Sequence, residues 1–122
     1  METTKLTGNI SYRYFNVEGS KGVVTIALAD PKERDYFSYY GVAFCSPKDQ
    51  FVKKIARSIS SGRLLKNINC KNYRGCYAGK VLKQNFDEAF LEVISFLQNQ
   101  YIHLIPRWAK GKDFKVRGRK GE

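Results

Sequence analysis

The sequence predicts an α+β fold: an antiparallel sheet of three to five strands packed on one face by two amphipathic helices. Three observations carry that expectation. Runs rich in aromatic and β-branched residues crowd the chain as far as Cys45 and are separated by turn residues. Two stretches of helical periodicity come after those runs rather than alternating with them, each behind a capping signal. The chain has 122 residues and 43% hydrophobic content, enough for one core and too little for two complete domains.

The first strand is the run Ile10 to Val17, and Glu18-Gly19-Ser20-Lys21-Gly22 supplies a turn behind it. Val23 to Ala29 is the second strand, closed by Asp30-Pro31, so the two read as a hairpin. After the charged loop from Lys32 to Asp35, Tyr36 to Cys45 is long and aromatic enough for a third strand. Ser46-Pro47-Lys48-Asp49 then looks like a helix start, with Ser as N-cap, Pro at the first position and an acid at the third. Phe51, Ile55 and Ile59, with Val52 and Ala56 beside them, make the apolar stripe of that helix, and Gly62 is its natural stop.

Arg63 to Gln84 carries weaker signals. Tyr73 to Leu82, interrupted by Gly75 and Gly79, reads as a fourth strand with an irregularity. Asn85 caps a second helix with Glu88 at its third position, and Phe86, Ala89, Phe90, Val93, Ile94 and Leu97 form its apolar stripe. This helix is short of cations and serves core support or a subunit interface. Residues 1–109 form the single domain, and 110–122 form a flexible basic tail with Gly111, Gly118 and Gly121 among charges.

Charge is distributed in blocks. Pro47 to Gln84 holds ten Lys/Arg against one acid, and Pro106 to Glu122 holds seven against two, whereas Asn85 to Ile105 has three acids and no Lys or Arg. The formal total is +11. An excess concentrated in this way suits a polyanionic partner whose counterions are released on binding. Eight Tyr, eight Phe and Trp108 are more aromatics than a disordered basic protein carries. The start Met1-Glu2-Thr3-Thr4-Lys5 has no apolar stretch behind it, and no window approaches the roughly 18 apolar residues of a membrane span, so a soluble, intracellular, cytoplasmic protein is expected.

Catalytic chemistry finds little support, and the chain is read as a non-enzyme without a cofactor or metal. Cys45, Cys70 and Cys76 lack the spacing of a zinc or redox motif, and His103 is the one histidine, in an apolar setting. Most acids fall in caps and turns rather than in a divalent-ion cluster. Gly75-Cys76-Tyr77-Ala78-Gly79 lacks the Lys-Ser/Thr ending of a phosphate loop.

Nucleic-acid binding is better supported, because cations alternate with aromatics. Tyr12 and Tyr14 share one face of the first strand, with Arg13 on the other, and Tyr40 lies on the third strand. Their rings are candidates to stack on unpaired bases. Lys53, Lys54, Arg57, Arg63 and Lys66, with Lys71 and Arg74 farther on, form a stripe lacking the compensating acids of a solvated helix face. Arg107, Trp108 and Lys110 open an arm suited to closing over a strand. A curved antiparallel sheet followed by a helix resembles, in architecture alone, small single-strand-binding domains of the coactivator type. No helix-turn-helix or alternating RNA-recognition pattern is present.

The expected function is therefore binding of single-stranded DNA with little sequence preference, as a homodimer, in replication or recombination in a virus or mobile element. The alternatives are a basic inhibitor docking on a nucleoprotein complex, as anti-CRISPR proteins do, or a binder of RNA or duplex DNA.

Overall fold

The computed structural model describes residues 10–29, 37–69, 77–82 and 84–117. Five strands, β1 (Ile10–Val17), β2 (Val23–Ala29), β3 (Phe37–Cys45), β4 (Ala78–Leu82) and β5 (Phe114–Val116), form one antiparallel sheet in the spatial order β4-β3-β2-β1-β5. Two helices, α1 (Lys53–Asn69) and α2 (Phe86–Asn99), complete the α+β fold. Neither is long and apolar enough to cross a membrane.

β2 is buried along its whole length, and this determines the layering. Its Val24, Ile26 and Leu28 join Phe15 and Val42 in one core with Ala89, Phe90, Val93 and Leu97 of α2. Its Ala27 and Ala29, on the other face, pack with Leu64 of α1 beside Ile10, Tyr12 and Tyr39. The two helices therefore meet opposite faces of the sheet, where the sequence had suggested one. A strand apolar on both faces needs a cover on both, and Val-Val-Thr-Ile-Ala-Leu-Ala contains no alternation with charge.

On the α1 side the sheet offers small residues. Across the β2–β3 register Ala27 faces Gly41 and Thr25 faces Ala43. A side chain at Gly41 would run into the Ser60 carbonyl and Leu64, so the helix lies close against the backbone of β3. Short residues suit such a contact, and α1 buries Ala56 and Ser60 there, with Leu64 following at the same four-residue spacing. The Ser60 hydroxyl donates to the Ala56 carbonyl at 2.8 Å, which satisfies it inside the interface.

The expected Phe51/Ile55/Ile59 stripe is not the seam. Ile55 and Ile59 are 57% and 41% exposed. The helix also begins later and runs farther than expected, from Lys53 through Gly62 to Asn69. Ser46 closes a turn instead of capping it: its carbonyl accepts from Asp49 N at 3.0 Å and its hydroxyl from Lys48 N at 3.2 Å. Gly62 in the helix interior is disfavoured by about 1 kcal/mol relative to Ala, a penalty tertiary packing overrides.

α2 follows its sequence signals. Asn85 Oδ1 accepts from Glu88 N at 2.9 Å, and the Glu88 carboxylate accepts in return from Asn85 Nδ2. Beyond it, the segment expected as a flexible tail from residue 110 is tied down as far as Arg117. Gln98 Nε2 donates to the carbonyls of Ala109 and Lys112 at 3.1 and 2.8 Å, and its Oε1 accepts from Gly111 N at 3.2 Å. Gly111, at φ 68°, supplies the turn into β5, which pairs Phe15 with Val116 on β1.

The position of the α1 seam is open to a direct test by thermal or urea melts. Leu64→Ala should destabilise the fold by about 2–5 kcal/mol. Ile55→Ala, at a solvated position of the same helix, should change it by no more than about 0.5 kcal/mol.

Candidate nucleic-acid interface

The register of β1 places Tyr12 and Tyr14 opposite Ala27 and Thr25, on the face that α1 covers. α1 lies mainly over β2 and β3, so these two rings stand half-buried at its flank. Lys53 and Arg57, one helical turn apart, project over them. Lys53 Nζ lies 5.2 Å from the Tyr14 ring centre, and the Arg57 guanidinium carbon 5.7 and 5.9 Å from those of Tyr12 and Tyr14. Arg57 Nε donates to the Tyr14 hydroxyl at 2.5 Å. That hydrogen bond is the main cause raising the Arg57 pKa above its usual value. The guanidinium therefore remains a fixed cation with further N–H groups available.

Two more residues complete the cluster: Phe51, which sequence reasoning misses, and Arg117, which it reads only as part of a flexible basic arm. Phe51, just before α1, meets Tyr14 edge to face at 5.6 Å between ring centres. Arg117 follows β5, its backbone N–H donating to the Tyr14 carbonyl at 2.7 Å and one guanidinium nitrogen to Asn16 Oδ1 at 2.8 Å. Its guanidinium carbon sits 4.9 Å from the Phe51 ring centre. Phe51 had been assigned to a core stripe and Arg117 to a tail. Neither carries a local signal of nearness to Tyr14: the pairing of β5 with β1 brings Arg117 there, and the seating of the segment before α1 brings Phe51.

Three rings and three cations thus share one surface. Among the described residues, ion pairs join Arg13 to Asp87 at 2.5 Å and Lys115 to Glu18 at 3.2 Å, and neither involves Lys53, Arg57 or Arg117. The site joins planar groups that favour base stacking to cations without acidic partners, and each type addresses a different part of a nucleotide.

Other expected site residues lie elsewhere. Tyr40 is 1% exposed in the α2-side core, and its ring fills the space over Gly79, so it offers no stacking face. Alternation puts it on the opposite face from Tyr39. Arg13 points toward α2, over the Phe90 ring at 4.9 Å and paired with Asp87. Arg63 donates to the Val42 carbonyl at 2.7 Å and lies 4.6 Å from the Tyr77 ring centre. It fastens α1 to β3. Lys54 and Lys66 are exposed on α1.

Trp108 is half-buried and packs on Phe44 at 6.2 Å between ring centres, in space that Gly22 leaves open. It is a packing residue rather than the aromatic of an arm, although Arg107 and Lys110 beside it are exposed. Lys71 and Arg74 lie outside the described residues, as do Cys70 and Cys76. The Cys45 thiol is raised above its usual pKa, first by burial and then by Asp49, with Arg117 opposing.

No protein-family model, curated protein or solved structure matches this chain.

Replacing Tyr40 separates packing from binding. Tyr40→Ala should lower stability by about 3–5 kcal/mol, read from thermal melts, and leave nucleic-acid affinity per folded molecule unchanged.

Proposed function

We propose that the chain binds single-stranded nucleic acid, DNA in the first instance, with little sequence preference, and so covers strands exposed in replication or recombination. The observation that carries this reading is the joining of Tyr12, Tyr14 and Phe51 with Lys53, Arg57 and Arg117 on one surface. A single strand offers unstacked bases to the rings and phosphates to the cations at the same time. A duplex hides its base faces and can use the charges alone. Among the described residues, α1 lies on the sheet with its Arg63 held against β3 rather than standing clear as a recognition helix.

Fluorescence anisotropy with a labelled mixed-sequence strand, the matching duplex and an RNA of the same sequence tests the reading. The single strand should bind more tightly than the duplex at every salt concentration. Each neutralised phosphate contributes a slope of about −0.7 in log affinity against log salt, so three contacts give about −2. Duplex binding as tight as single-strand binding would exclude the reading, and tighter RNA binding would move it to RNA. Absence of binding to all three would favour docking on an acidic protein surface.

Charge and ring contributions are separable at this site. Arg117→Gln should reduce the salt slope by about 0.7. Tyr12→Ala should leave the slope unchanged and weaken binding by about 1–3 kcal/mol, measured per folded molecule because Tyr12 also touches the α1-side core.

A further inference from the structure

The outer surfaces of the two helices are apolar and opposite in charge. On α1, Ile55 and Ile59 are well exposed, with Val52 just ahead of them. Each lies two residues from Arg57, so helical spacing turns them to the far side of α1 from the tyrosines. They border a groove of about 260 Å³ that Ala43, Phe44, Asp49 and Phe51 also line. Gly62 lies on this outward side, and a Cβ there would meet nothing within 4 Å. A mid-helix glycine with no internal neighbour weakens the helix and leaves a gap that another molecule can enter. α1 carries five cations and no acid; Lys53 and Arg57 turn toward the tyrosines and Arg63 toward β3, which leaves Lys54 and Lys66 exposed on the rest of its surface.

α2 is the counterpart. Leu91 is 63% exposed, and helical spacing sets Asp87 and Glu88 beside it. Asp87 keeps 75% of its side chain exposed while paired with Arg13. The helix has three acids and no cation.

We propose that the chain self-associates head to tail, the Leu91 face of α2 in one copy docking on the Ile55–Ile59–Gly62 flank of α1 in the next. Charge selects this pairing. α1 against α1 sets cations against cations, and α2 against α2 sets acids against acids, whereas α1 against α2 brings opposite signs around an apolar centre. The two surfaces differ, so each copy uses one and presents the other, and an interface whose rotation does not close extends into an open chain. This pairing predicts a linear assembly, an alternative to the homodimer expected from the sequence. This inference does not rest on the nucleic-acid reading: it needs neither Tyr12 nor Tyr14, although Phe51 beside Tyr14 also lines the groove.

Sedimentation velocity over a concentration series, without nucleic acid, tests it. The protein should form species beyond a dimer that dissociate as salt is raised. Ile59→Glu and Leu91→Lys should each weaken association by about tenfold or more, while dilute samples keep their melting temperature. Ile55→Glu and Glu88→Lys serve if either variant unfolds. Mixing the α1 variant with the α2 variant should restore a dimer that grows no further, since one intact copy of each surface remains. A protein monomeric at all concentrations, or a dimer that ignores Leu91→Lys, would overturn the proposal.

Discussion

The fold depends on how closely α1 can approach the sheet. Gly41 has no side chain, Ala27 and Ala43 nearly none, and Ser60 and Leu64 occupy the space that results. A β-branched residue at Gly41 would force the helix outward, and the consequences would not remain local. Arg57 would leave the Tyr14 hydroxyl and Arg63 the Val42 carbonyl, because both distances are set by the height of the helix above β3. The cation and aromatic cluster is a product of this packing rather than a separate feature placed on it.

The cations fall into two groups with different work. Arg13 and Arg63 each lie over a ring and hold a carboxylate or carbonyl, so their charge helps to bind the protein to itself. Lys53, Arg57 and Arg117 also lie near rings, yet no acid partners them among the described ion pairs. Net charge alone does not tell the groups apart. The distinction lies in what each side chain reaches once the strands are in register.

Much of the fold was legible because its signals are local. β1 and β2 coincide with apolar runs between turn residues, and Asn85 with Glu88 marks the start of α2 by its own hydrogen bonds. α1 misled because Ser46-Pro47 satisfies capping rules as well as it satisfies a turn, and because hydrophobicity singled out the isoleucines. The sheet selected for size instead, taking Ala56 and Ser60. Within the candidate site, Tyr12, Tyr14, Lys53 and Arg57 were legible from alternation and helical spacing. Phe51 and Arg117 were not, since they reach the site through contacts between distant parts of the chain. Tyr40 was misassigned because aromatic composition says nothing about which side of a strand is covered.

The pairing of β5 with β1 has a consequence for how the chain acquires this surface. Arg117 and Asn16, which share a hydrogen bond, are 101 residues apart in sequence. Contacts of such separation form late, since the loop they close must be ordered first. On the ribosome, β1, β2 and β3 can assemble as a meander long before residue 114 has been synthesised. In that interval the outer edge of β1 presents open backbone donors and acceptors, the feature through which strands of different molecules join. β5 acts as a late guard of the Phe15–Val17 end of that edge, and the basic surface is completed in the same step that covers it.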